Sequence, residues 1–262
     1  MANRRHFLTV AGVGLASAPV LGAAREAEGA VEGRDFYELR QYQLADEGQK
    51  QGLDAFLRDA AIPAWNRIGI EPVGVFYPEE GLSPVRVLMR HRSMDSVVSA
   101  TQRMLGDAEF LRRGAAFIDA AAEKPAFQRV ESSLFLAFKG MPTIEAPAKG
   151  QGRILQLRIY ESPSVKTGQK KIEMFNDAGE IAIFRRVGLH PVFFGEALTG
   201  TKLPNLTYML AFESQDELKA NWKKFGADPD WKRLKGMAEY ADKSILSGIT
   251  NLILKPADYS QV

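Results

Sequence analysis

Two well-separated stretches of this chain share one plan: Gly69-Ile70-Glu71-Pro72-Val73-Gly74-Val75-Phe76 and Gly188-Leu189-His190-Pro191-Val192-Phe193-Phe194-Gly195-Glu196. Each opens on a glycine able to end a helix, followed by a proline that pushes the residue before it into an extended conformation. Each then runs on through apolar and aromatic residues, which reads as a strand. A helix stop followed by the same strand start, twice, marks one duplicated unit. The spacings agree: Arg40 to Arg158, Gly69 to Gly188 and Asp107 to Asp228 are 118, 119 and 121 residues. Drift that small, with slips confined to loops, is what duplication followed by loop insertion leaves.

Within the first unit, Phe36 to Leu44 alternates as a strand. Tyr37, Leu39 and Gln41 take one face, and Glu38, Arg40 and Tyr42 the other. Leu53, Phe56, Leu57, Ala60, Ala64 and Ile68 then recur at helical spacing, with Pro63 expected to kink the run or make a new start. Strands are expected over 71–77, 85–92 and 130–138. Ser93 should cap a helix turning Met94, Val97, Val98, Thr101 and Leu105 inward, and Asp107 a helix carrying Phe110, Leu111, Phe117 and Ile118. The second unit repeats the order, with strands over 154–160, 190–196, 206–212 and 250–254. Its helical stripes run through Ile172, Phe175, Ala178, Ile181 and Phe184, then through Leu218, Trp222 and Phe225 behind a Ser214/Glu217 capping box. Asp228-Pro229-Asp230-Trp231 starts its last helix, at the place of Asp107-Ala108-Glu109-Phe110. The order predicts an α+β chain of two ferredoxin-like βαββαβ units, residues 36–138 and 153–255, joined by a Pro- and Gly-containing linker, 139–152.

Ahead of the units, Arg4-Arg5 and an Ala/Gly-rich apolar run ending near Ala23-Ala24 have the three-part plan of a twin-arginine signal over residues 1–24. The expected location is therefore exported, periplasmic or extracellular, with the twin-arginine export machinery as a partner. The full chain carries 34 Lys and Arg against 32 Asp and Glu, and loss of residues 1–24 removes only Arg4 and Arg5 from that count. A chain so balanced lacks the electrostatic footprint of nucleic-acid binding. The absence of cysteine excludes disulfides, thiolate nucleophiles and Cys-ligated metals.

Tyr37-Glu38-Leu39-Arg40-Gln41-Tyr42, the Gly-x-x-Pro-Val strand starts and Asp228-Pro229-Asp230-Trp231 together resemble the NIPSNAP family of the dimeric α/β-barrel superfamily. The resemblance spans both units. It departs at Asp107-Ala108-Glu109-Phe110 and at Leu155-Gln156-Leu157-Arg158-Ile159-Tyr160, where Gln replaces Glu. It implies that the two halves of one chain pack their sheets face to face as a barrel, with helices outside. Relatives of that fold include cofactor-free monooxygenases, haem-binding enzymes and isomerases, and fold alone does not choose among them.

No nucleophile elbow or P-loop is present in the mature chain, and two histidines without cysteine make an all-protein zinc site unexpected. No cofactor and no metal are expected. His190 and Glu196 share strand parity with Val192 and Phe194 and are the candidate catalytic pair. Arg158 with Tyr160 and Arg40 with Tyr42 are the candidate substrate-binding pairs, suited to a carboxylate or phenolate, or alternatively a polar seam between the packed sheets. In the first unit Glu71 stands at the place of His190, so a pocket is expected in the second unit, lined by Arg158, Tyr160, His190 and Glu196. The expected function is small-molecule binding between sheet and helices, as a monooxygenase- or isomerase-like enzyme or as a non-enzymatic envelope protein. A homo-oligomer is compatible with either.

Overall fold

The computed structural model describes residues 31–147, 150 and 152–262, so the expected signal segment lies outside the described residues. From Gly33 onward the chain folds as one compact unit. The first half runs β1 (Phe36–Gln43), α1 (Glu47–Phe56), a π-helical turn (Leu57–Ala61), α2 (Ile62–Arg67), β2 (Val73–Pro78), β3 (Val85–His91), α3 (Met94–Leu105), α4 (Ala108–Ile118) and β4 (Arg129–Ala137). The second half runs β5 (Ile154–Glu161), α5 (Val165–Asn176), α6 (Glu180–Arg186), β6 (His190–Thr199), β7 (Asn205–Phe212), α7 (Gln215–Ala227), α8 (Pro229–Gly236), α9 (Asp242–Ile245) and β8 (Gly248–Pro256). At Pro63 the run makes a new start: a π turn ends at Ala61 and α2 begins at Ile62 with Pro63 in its first turn, where a missing N–H costs little.

The strands close into a barrel in the order β1-β3-β2-β8-β5-β7-β6-β4, every pairing antiparallel. Cut at the β2–β8 and β4–β6 seams, this order is two copies of the ferredoxin-like sheet β4-β1-β3-β2. The expected α+β fold, with both halves of a dimeric α/β barrel supplied by one chain, is the observed fold. Its helix starts repeat as well. Asp46 and Ser164 cap α1 and α5, Ser93 and Ser214 cap α3 and α7, and Asp107 and Asp228 cap α4 and α8. Arg67 grips Asp107 at 2.6 Å, and Arg186 grips Asp228 at 2.9 Å, at matching places in the two halves.

Among the described residues three large apolar cores result, with a small fourth cluster of Phe36, Leu134 and Leu136 under Val97. Tyr37, Leu39, Phe76, Leu88, Phe135, Leu155, Leu157, Phe193, Met209 and Leu254 fill the barrel. One further core lies under the helices of each half. On α3 the inward stripe is Ala100 and Met104, while the expected Met94, Val98 and Leu105 are exposed. The helix carries two apolar stripes, and the one nearer the sheet is buried.

Candidate ligand-binding site

Alternation along β1 sends Tyr37 and Leu39 into the barrel and Glu38, Arg40 and Tyr42 toward the helices. Arg158 and Tyr160 on β5 face the helices in the same way. Neither pair forms a polar seam between the two sheets. An eight-strand barrel leaves room inside for little more than side chains, and here the inward parity of both strands is apolar at that level.

In the first half a cavity of about 350 Å³ opens between sheet and helices. Arg40 and Tyr42 line it from β1, Phe56 and Trp65 from the first helical run, and Thr101, Met104, Phe110 and Phe117 from α3 and α4. Arg40 is the one charged residue in this otherwise largely apolar lining. Its guanidinium lies 5.7 Å from the Trp65 ring centre. Its Nε and Nη2 donate to the two Glu38 oxygens at 2.7 and 3.2 Å. Behind Glu38, Ser132 Oγ donates at 2.8 Å, and His91 Nε2 lies 3.7 Å from Oε2. His91 is fully buried, with Nδ1 held by Ser96 Oγ at 3.0 Å and Nε2 without a hydrogen-bond partner. Burial works to raise the Glu38 pKa, but the nearby His91 ring together with the hydrogen bonds from Arg40 and Ser132 overcomes it and holds the carboxyl down at about 2. Burial raises the Tyr42 phenol, opposed by the Arg40 charge.

The matching space in the second half is filled. Arg40 pairs in register with Val87, and Val87 with Val75, whereas Arg158 pairs with Tyr208, and Tyr208 with Phe194. Counted from their capping serines, Thr101 and Met104 of α3 correspond to Trp222 and Phe225 of α7. Phe184, Phe194, Tyr208, Trp222 and Phe225 pack ring on ring with centroids 4.9–6.0 Å apart. Arg158 lies 4.8 Å from the Trp222 ring centre and donates to Tyr160 Oη at 3.0 Å, which also accepts from Tyr208. Gln156 stands at the place of Glu38, taking a 2.7 Å hydrogen bond from Trp222.

His190 and Glu196 are not brought together. A bulge at Val192 breaks their shared parity, so Val192 and Phe193 both enter the barrel core while Phe194 turns to the helices. Six residues of strand also keep them about 20 Å apart. His190 is 48 % exposed, 3.8 Å from Glu217. Glu196 lines a separate surface cleft of about 310 Å³ with Val165, Ile172 and Leu203, and accepts a hydrogen bond from Gln169. The four residues expected to share a second-unit pocket therefore do not share one. Among the described residues no three His, Asp or Glu side chains converge as a metal site.

Sequence reasoning missed Glu38 and His91, although Gln156 standing for Glu38 between otherwise matching strands marked a difference between the halves. His91 gave no such signal. It pairs with Phe36 near one end of β1, and only the register joins it to Glu38.

The NIPSNAP family pattern matches residues 37–139 and 155–261. No curated protein matches the chain. Among solved structures, a provisionally assigned monooxygenase from Fusobacterium nucleatum is 7% identical, with TM-score 0.56, over 85% of this chain and 92% of its own. Another, from Lactobacillus acidophilus, has the same identity and TM-score over 85% and 94%. An anthrone oxidase-like protein is 11% identical, with TM-score 0.53, over 87% and 93%. At such identities the likeness is one of fold.

Proposed function

The chain belongs to the NIPSNAP family, and from that premise we propose that its first half binds a small, largely apolar, oxygen-bearing molecule between sheet and helices, with the oxygen on Arg40. The carrying observation is a single guanidinium in the wall of an otherwise largely apolar cavity of about 350 Å³. That volume is at the lower end for a small-molecule pocket. Glu38 occupies two of the five guanidinium N–H groups and cancels the charge. The remaining donors suit a neutral acceptor, such as a phenol or ketone oxygen on an aromatic body, more than a free carboxylate. A ring held this way has its oxygen polarised, as oxidation or isomerisation of such molecules requires. The fold is shared with a provisionally assigned monooxygenase and an anthrone oxidase-like protein, which is compatible with that class.

The test uses the difference between the halves. Thr101→Trp with Met104→Phe writes the second half's residues into the first. The double variant should weaken 1-naphthol binding, followed by calorimetric titration, at least tenfold while leaving the circular dichroism spectrum unchanged. His190→Ala should bind as wild type. Retained binding in the cavity-filled variant, or loss in His190→Ala, refutes the reading.

The proposed location is outside the cytoplasm, supported by Arg4-Arg5 and the apolar run behind them. Arg4→Lys with Arg5→Lys should leave the precursor in the cytoplasmic fraction, and undiminished export of that variant would contradict the twin-arginine route.

A further inference from the structure

The barrel interior is apolar in its middle and carries polar groups toward both ends. At one end Arg90, opposite Tyr37, is paired with the buried Asp35 at 2.6 Å, and at the other end a buried arginine has no such partner. Where β1 and β5 finish and β3 and β7 begin, the inward parity carries Gln41, Arg86, Thr207 and Thr250, with Ile159 between the two threonines. Arg86 shares its parity with Leu88, which lies in the barrel core, and is itself only 7% exposed. Its sole hydrogen bond among the described residues runs from Nη1 to the Pro84 carbonyl at 3.4 Å. No carboxylate among the described residues lies within ion-pair distance of it. Glu131, the other register partner of Gln41, is exposed and makes no ion pair, and Glu161 is taken by Lys202 at 3.1 Å. The second half places uncharged Thr207 where the first places Arg86.

An arginine so buried stays charged and carries an unrepaid desolvation cost unless something compensates it. Burial alone pushes its pKa down, with no acidic neighbour to oppose the effect. Arg40 and Arg90, on the same sheet, both hold carboxylates at 2.6–2.7 Å. Arg86 is the buried arginine of the three that lacks one. Eight-strand barrels are wide enough at the mouth to take one small ligand.

We propose that this mouth is an oxyanion site, in which the Arg86 fork takes a phosphate or carboxylate group beside the Gln41 amide. The planar fork matches either group in a bidentate arrangement. The site is independent of the Arg40 cavity, from which the sheet itself separates it.

The experiment is thermal unfolding of the mature protein in inorganic phosphate or in acetate, each against chloride at matched ionic strength. One of the two anions should raise the midpoint saturably, by roughly 5 °C at high occupancy, and which one does so identifies the group. Arg86→Met should lose that rise while unfolding in chloride at or above the wild-type midpoint, because an uncompensated charge has been removed. Arg86→Lys, which keeps the charge without the fork, should bind at least tenfold more weakly. Thr101→Trp should keep the full response. A saturable rise in neither anion overturns the site. So does an Arg86→Met or Arg86→Lys protein whose response equals wild type, which would show an adventitious ion only.

Discussion

Lys171→Met is expected to cost about 3–5 kcal/mol of folding stability at neutral pH, while Lys171→Met with Glu180→Met together should stay within about 1 kcal/mol of wild type. Both side chains are buried, at 1% and 2% exposure, and Nζ lies 3.3 Å from Glu180 Oε2. The next acid, Asp242, is 3.8 Å away and 58% exposed. Otherwise the ammonium is surrounded by the Met174 sulfur and the rings of Tyr160, Phe175 and Trp231, at 5.1–5.7 Å. A pair with so few other polar contacts gains little over apolar packing, yet removing one partner strands the other. The first half supplies the precedent, because Leu53 and Ala61, both fully buried, occupy the corresponding places. Burial raises the Glu180 pKa, against the pull of Lys171. A carboxyl raised in the folded state contributes its stability in full below the unfolded value and loses it as pH rises through the folded value. The Lys171→Met deficit should therefore shrink on acidification. Urea unfolding followed by tryptophan fluorescence at pH 7 and pH 5 reads both effects. An equal loss in the single and double variants would mean that the pair stabilises this half.

Much of the fold was legible because its signals are local. The Gly-x-x-Pro strand starts, the capping Asp and Ser residues and the strand alternation each act within a few residues of chain, and each recurs about 120 residues later. The site was less legible because it depends on pairings across the sheet. Whether space remains beside Arg40 or Arg158 turns on Val87 and Val75 against Tyr208 and Phe194, residues that meet only in register. The bulge at Val192 likewise leaves no mark in a run that reads as continuous strand, so the parity linking His190 to Phe194 failed there. A titratable group standing alone on a strand drew attention to His190. The buried histidine that does meet a carboxylate, His91, is set beside Glu38 by the β1–β3 pairing.

Glu38 should dominate the response of the first half to acid. Its carboxyl is held at about 2, below the ordinary 4.5. A depressed carboxyl contributes stability that is present above the unfolded value and lost as pH falls through the folded one. With its side chain 12% exposed, the difference corresponds to about 3 kcal/mol. Wild type should lose that amount between about pH 4.5 and 2, and Glu38→Gln should lose correspondingly less over the same window. The glutamine is isosteric, and Gln156 already fills the matching place in the second half. The two curves must be compared with each other, since surface carboxylates titrate in both. The same substitution bears on the ligand. With Glu38 ionised, Arg40 presents donors but no net charge to the cavity, whereas beside a glutamine it presents a full positive charge. Glu38→Gln should therefore invert the preference at neutral pH, weakening 1-naphthol relative to 2-naphthoate by at least tenfold. Parallel acid curves for the two proteins would remove Glu38 as the titrating group. An unchanged naphthol-to-naphthoate ratio would show that Arg40 does not face the ligand.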